Sequence, residues 1–323
     1  MTVRIFNCDV MEGLRQLPDE SVHCCVTSPP YWGLRDYGVE GQIGLEETIF
    51  EHIDRLVEVF AEVRRVLRKD GVCFVNYGDA YAGSWGAQSR GEAPGPKSKL
   101  SVGQVYAAPK GTHTGSAKRT PGLKPKDRML LPARLAIALC ADGWWLRDEI
   151  VWNKPNPMPS PGRGRTTPAH EMVYMLTRSA QYAFDQDAYQ EPAAVADWND
   201  GSRVYGGHGT IHRSGRTEPQ YVEAACGDFR NKRSVWTVAT SPFADAHFAT
   251  FPPNLIEPMI KAGCPKSGTV LDPFGGAGTT GLVADRLQRN AILIELNPEY
   301  AAMAERRIRG DAPLFHDQTE VSA

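Results

Sequence analysis

Two short stretches of this chain carry side chains suited to a nucleotide: Thr27-Ser28-Pro29-Pro30-Tyr31-Trp32 early on, and Asp272-Pro273-Phe274-Gly275-Gly276-Ala277-Gly278-Thr279-Thr280 much later. An amino group conjugated to a flat ring is a poor nucleophile, and it reacts only when its nitrogen is held in line with an electrophile. Consecutive prolines fix φ, and Pro30 offers no amide hydrogen. The Pro29 carbonyl and the Ser28 side chain are then free to accept the amino hydrogens, while Tyr31 supplies a face for the ring. An isolated Pro-Pro after a strand also reads as a rigid turn, so this motif needs its distant companion.

In that companion a strand ends in Asp272, and Gly275, Gly276 and Gly278 allow close backbone approach and positive φ before a helix begins. Twenty residues beyond Gly275, Glu295 closes the next strand, where a carboxylate accepts ribose hydroxyl hydrogens. A nicotinamide or flavin enzyme has a similar plan. Its glycine spacing recurs at Gly276, Gly278 and Gly281, but Pro273-Phe274 replaces that fingerprint's direct entry from strand to glycine, which argues against it here.

The elements that position these motifs read as alternating strands and helices. Strands are expected at 3–8, 22–27, 72–77, 146–152, 171–177, 181–184, 269–272 and 291–295, with 171–177 and 181–184 forming a hairpin at a sheet edge. Helices are expected at 10–17, 129–141, 254–262, 279–288 and 298–309. The strongest helical pattern runs from Ile49 through Phe50, Ile53, Leu56, Val57, Phe60 and Val63 to Leu67 and stops at Lys69-Asp70-Gly71. β-α-β order implies right-handed crossovers and a parallel sheet, whose carboxyl ends are where ligands bind. Residues 310–323 lack sustained apolar patterning and read as a flexible tail.

With 323 residues and 41% hydrophobic composition, the chain is long enough for a full α/β core plus inserted segments. The start, MTVRIFNCDV, has no basic region followed by an apolar signal core, and no apolar run reaches the roughly 20 residues of a membrane span. A cytoplasmic setting is expected. The seven cysteines are odd in number and form no Cys-x-x-Cys pair, so they read as reduced core residues. His170, His208 and His212 have no acid or cysteine at ligand spacing, and no metal is expected. Trp144, Trp145 and Trp152 read as packing residues.

The net charge of -2 hides an uneven distribution. From Arg90 to Arg128 there are nine Lys or Arg against Glu92 and Asp127, in a stretch rich in Gly, Ser and Pro. Such a segment lies readily along a phosphate backbone, releasing counterions, although basic loops are also often simply solvated. Within it Lys118, Arg119, Lys124 and Lys126 are candidate DNA contacts.

Taken together, the two motifs resemble those of the DNA amino-methyltransferases that modify cytosine N4 or adenine N6. In that resemblance Ser28, Pro29, Pro30 and Tyr31 are the catalytic element, and S-adenosyl-L-methionine is the cofactor. Asp272, Phe274, Gly275, Gly276, Gly278 and Thr279 would form its loop, Glu295 its ribose acid and Asp9 the contact to its adenine. Phe251 and Pro252 would line its methionine end, and Lys154, in Asn153-Lys154-Pro155-Asn156, would reach a phosphate. The catalytic element precedes the cofactor element, the order of the family's β group. The implied fold is therefore a circularly permuted, Rossmann-like α/β methyltransferase sheet with helices on both faces and inserted DNA-recognition segments.

The resemblance divides the chain into a catalytic half at 1–185 containing the basic insert 83–125, a target-recognition segment at 186–235, and a cofactor-binding half at 236–309. It implies site-specific methylation of a base extruded from double-stranded DNA, with a cognate restriction endonuclease as a possible companion. Ser28 at the first clamp position favours cytosine N4, with adenine N6 as the alternative. Two other readings remain: an inactive DNA-binding relative, and an enzyme acting on RNA or protein glutamine, for which Asn-Pro-Pro-Tyr is the more usual clamp.

Overall fold

The structure is a computed structural model that describes residues 1–33, 38–82, 123–124, 126–159, 164–192, 229–240, 251–311 and the backbone of 319–322. Most of the basic insert, including Lys118 and Arg119, and most of the 186–235 segment lie outside the described residues.

The chain opens with β1 (Val3–Phe6), α1 (Val10–Arg15) and β2 (Val22–Thr27), followed by α2 (Ile49–Val66) and β3 (Leu67–Tyr77). Thr48 and Glu51 form a reciprocal cap at the start of α2, each side chain bonding the other's amide at 3.2 Å. The helix ends at Val66, earlier than the Lys69-Asp70-Gly71 stop, because buried Leu67 already adopts extended backbone and starts β3. After the insert come α3 (Leu131–Ala141), β4 (Trp145–Asn153) and β5 (His170–Thr177). The short strands β6 (Gln190–Pro192), β7 (Phe229–Asn231) and β8 (Val235–Thr237) follow. The last part holds α4 (Pro253–Gly263), β9 (Thr269–Asp272), α5 (Thr279–Arg286), β10 (Asn290–Ile294), α6 (Pro298–Asp311) and β11 (Thr319–Ser322).

Among the described residues nine strands form one sheet in the order β11-β1-β10-β9-β2-β3-β5-β4-β8, and β6 pairs with β7 separately. β5 runs antiparallel to both its neighbours, while the other pairings in the large sheet are parallel. The alternation of each strand divides its side chains between two cores. On one face Cys25, Cys73, Val75 and Leu271 pack with residues of α1, α2 and α3. On the other Cys24, Val72, Phe74 and Val270 pack with α4, α5 and α6. Among the described residues no helix is long and apolar enough to cross a membrane.

Two expectations are corrected. Residues 181–184 form no strand, because both edges of β5 are already taken by β3 and β4. Instead the Ala183 amide donates to the Asp70 carbonyl at 2.8 Å, and Tyr182 and Phe184 pack on the second core. The tail is not wholly frayed either: α6 continues to Asp311, and Thr319–Ser322 add a parallel strand beside β1. A free edge there offers backbone partners that compensate for a weak apolar pattern.

Candidate active site

The site forms where β2 and β9, far apart in sequence, run side by side with Cys24 opposite Val270 and Cys25 opposite Leu271. Their carboxyl ends deliver Ser28 and Asp272 to the same rim, at the crevice where successive strands diverge. A direct bond ties the two halves. The Thr27 hydroxyl donates to Asp272 Oδ1 at 2.7 Å, and Thr280 donates to Oδ2 at 2.6 Å.

A cavity of about 210 Å³ opens there, and Ser28, Pro29, Pro30 and Tyr31 line it together with Asp272, Phe274, Gly275, Gly276 and Thr279. Asp9, Lys154, Phe251 and Glu295 complete the expected residues on its walls. Pro252 and Gly278 are not lining residues. Pro252 instead caps the start of α4, and Gly278 caps α5 at φ +76°. A Cβ on Gly278 would stand 2.7 Å from that of Ala304, so this glycine is required by conformation and packing. Lys124 and Lys126 are exposed away from the cavity lining, Lys124 in an ion pair with Asp127 at 3.4 Å.

At the cofactor-loop wall, Glu295 accepts from the Gly276 amide through Oε2 and from the Asn297 amide through Oε1, both at 2.8 Å. Burial raises its pKa. Burial also pushes Asp272 up to about 6, although the hydroxyls of Thr27 and Thr280 and the Phe274 amide favour its ionised form. Asp9 caps α1, its Oδ1 accepting from Met11 N at 2.8 Å and Glu12 N at 3.3 Å.

At the clamp wall, the Tyr31 hydroxyl donates to Glu171 Oε2 at 3.1 Å. Burial first, and then the Glu171 charge, raise the Tyr31 pKa well above its usual value, which keeps it a neutral phenol. The Ser28 hydroxyl lies within hydrogen-bonding reach of the same oxygen, and a hydroxyl that donates there keeps lone pairs with which to accept from a ligand. The Tyr31 ring meets Tyr77 edge-on at 5.1 Å, and it lies so close to Gly78 that a Cβ there would come within 2.5 Å of it.

A buried relay sits beneath this ring. Glu46 bonds His52 Nδ1 at 2.9 Å, and His52 Nε2 bonds the Tyr77 hydroxyl at 2.7 Å. The Tyr77 oxygen is also bonded by the Trp32 backbone, which joins the relay to the clamp.

Several of these residues escaped the sequence reading. Asn76, buried near the end of β3, donates to Glu171 Oε2 at 3.2 Å, and Glu171 pairs with Lys154. A polar residue at the end of an otherwise apolar strand was the available signal for each. Lys154 does not project outward to a phosphate: its side chain is 15% exposed and its ammonium rests 4.2 Å from the Trp152 ring centre. Trp152, read as a packing residue in preference to a base-stacking one, is buried and also lines the cavity, whereas Trp145 is exposed. The loop residues Val39, Gly41, Gln42 and Ile43 also line the cavity.

The model of the N6/N4 DNA methylase family matches residues 22–306, a span that contains both walls of the cavity except Asp9 and its neighbours. The chain belongs to this family. It is 46% identical to the Type II methyltransferase M.XycI of Xanthomonas campestris pv. cyanopsidis over 308 residues, covering 95% of this chain and 87% of the relative. Identity to M.Cfr9I of Citrobacter freundii is 43%, over 95% of this chain and 88% of that protein.

Among solved structures, PvuII DNA methyltransferase (cytosine-N4-specific) superposes with a TM-score of 0.61 at 20% identity, over 100% of this chain and 95% of its own. TTHA0409 from Thermus thermophilus, solved with S-adenosyl-L-methionine, has a TM-score of 0.60 at 23% identity, over 99% of this chain and 100% of its own. These two share the fold, a mixed α/β methyltransferase sheet flanked by helices. The protein is a DNA methyltransferase, and S-adenosyl-L-methionine, the methyl donor of this family, is its cofactor. The cavity suits that molecule chemically, since ribose hydroxyls and a cationic sulfonium bring hydrogens and positive charge to two carboxyl groups on its wall, half-buried Glu295 and buried Asp272.

Proposed function

We propose that the chain methylates the exocyclic N4 of a cytosine extruded from duplex DNA, at one recognition sequence, as the modifying member of a restriction–modification pair. The observation that carries this reading is the single cavity lined by both Ser28–Tyr31 and the loop from Asp272 to Thr279. Ser28 at the first clamp position supports cytosine, as does the shared fold with a cytosine-N4-specific enzyme. The positions of β2 and β9 support a circular permutation, since the catalytic strand is second and the cofactor strand seventh in chain order among the nine strands of the sheet. A methyltransferase of DNA with unpaired cysteines among its described residues fits a cytoplasmic setting.

S-adenosyl-L-methionine supplies an electrophilic methyl group on sulfur. The chain's own residues do the positioning. Glu295 would accept hydrogen bonds from the ribose hydroxyls, Asp9 would meet the adenine, and Phe251 would cover the methionine end, all three lining the cavity. Opposite them the Ser28 lone pairs and the Pro29 carbonyl accept the two amino hydrogens of the base, aligning the nitrogen lone pair with the methyl carbon. Tyr31, held by Glu171 and Tyr77, provides the stacking face that offsets part of the cost of unstacking the base. The amino proton leaves to water after transfer, so no strong base is needed.

Lys124 and Lys126, which do not line the cavity, would contact phosphates together with Lys118 and Arg119, and residues 186–235 would read the sequence. Incubation with tritiated cofactor and unmodified duplex DNA, followed by nucleoside digestion and mass spectrometry, tests the reading. N4-methylcytosine is the expected product, and Ser28→Ala abolishes it while DNA binding persists. N6-methyladenine alone would replace cytosine by the adenine alternative, and no label in DNA would refute methylation altogether.

A further inference from the structure

A lysine ammonium has three hydrogens to donate and no lone pair to accept with. Lys154 gives one to Glu171 and lies over the Trp152 ring, which attracts a cation without supplying a directional acceptor. The surrounding polar groups are already committed. Glu171 spends Oε1 on Lys154 and Oε2 on Tyr31 and Asn76, while the Asn76 amide donates both to Glu171 and to the Met172 carbonyl at 3.1 Å. Of this cluster, the ammonium is the group with donors left for a ligand, and Lys154 lines the same cavity as the clamp.

A base anchored by its amino group at Ser28 and Pro29 presents its remaining edge to a fixed place. In cytosine that edge continues through N3 to O2, and both accept hydrogen bonds. In adenine it continues through N1 to a C–H, which does not. We propose that Lys154, oriented by Glu171 and Trp152, donates to the N3/O2 edge of the extruded base and is the residue that selects cytosine over adenine. The proposal rests on the cytosine reading above and adds the group that enforces it. Glu171 is then a positioning residue that holds Tyr31 and Lys154 with its two oxygens, so that the stacking face and the edge donor move as one unit.

The test uses the full-length enzyme and a duplex containing the sequence the wild type modifies, first mapped on unmodified genomic DNA. Three versions carry cytosine, 2-thiocytosine or adenine at the target position. Replacing O2 by sulfur weakens the acceptor, and adenine removes it. Wild type should lose roughly 10- to 100-fold in kcat/KM on either replacement, the ratio carried by a charge-assisted hydrogen bond. Lys154→Met should be slower on cytosine and indifferent, within about twofold, to the sulfur replacement, whereas Lys154→Arg should keep most of the discrimination. A merely structural role would lower all three rates together and leave their ratios unchanged, which overturns the proposal. Calorimetry with S-adenosyl-L-methionine reports whether the variant is folded. Should Lys154→Met fail to bind it, Lys154→Met with Glu171→Gln, which leaves no unpaired buried charge, is read on the same duplexes. Wild type that methylates only adenine would overturn the cytosine reading itself, whereas cytosine methylation with unaltered ratios in the variant overturns the role of Lys154 alone.

Discussion

Asp272 should make this protein less stable as the pH rises from 4 to 7. Its carboxyl is 2% exposed, and burial lifts its pKa from an ordinary 3.8 to about 6 against the pull of three hydrogen bonds. An acid whose pKa is higher in the folded state binds its proton more tightly there. Between about 3.8 and 6 the unfolded chain has released that proton while the folded protein retains it, so stability is lost as the pH rises through this window and is level above it. At 1.36 kcal/mol per pH unit the loss is roughly 3 kcal/mol.

Replacing Asp272 by Asn removes the titration and preserves the shape. Urea unfolding of both proteins at pH 4, 5, 6 and 7 isolates the effect from every other titrating group, because only the difference between them is read. The stability of wild type relative to Asp272→Asn should fall by roughly 2.4 kcal/mol across that range, the rest of the loss lying below pH 4. A difference that stays flat, or that grows with pH, would refute the reasoning. It would mean that the hydroxyls of Thr27 and Thr280 and the Phe274 amide outweigh desolvation, and that the carboxyl is ionised throughout.

Two further outcomes follow from the clamp. Gly78→Ala places a methyl 2.5 Å from the Tyr31 ring, so the ring must shift; methyl transfer in a single turnover should slow by about 10- to 100-fold while calorimetric cofactor affinity changes less than about twofold. Tyr77→Phe deprives buried His52 of its partner at 2.7 Å, and it also removes the oxygen that the Trp32 backbone bonds; urea unfolding should show a loss of about 1–3 kcal/mol, and a change below about 0.5 would mean the relay contributes no stability.

The fold was readable to the extent that its signals are local. The apolar spacing of α2 and the buried runs at 22–27, 72–77 and 269–272 mark helix and strand because each element must bury one face or both. The strand expected at 181–184 has suitable residues, but strand pairing also needs a vacant edge, and β5 has none. The reverse holds at 319–322, where an available edge supports a strand that the pattern did not announce.

The chemistry divides in a similar way. Residue order alone determines that a serine, two prolines and a tyrosine follow one buried strand, and that a glycine loop with an acid before it follows another. Backbone dihedral limits and hydrogen-bonding capacity act within a few residues, so the local chemistry of each motif is legible by itself, and the two motifs on one chain distinguish a clamp from a rigid turn. Folding decides which groups meet them. Tyr31 and Glu171 lie 140 positions apart and Thr27 and Asp272 lie 245 apart, and they meet only because the sheet places β2 between β9 and β3, with β5 beyond. Whether a lysine reaches outward to a phosphate or lies against a tryptophan on the cavity wall depends on that register, which no local pattern encodes.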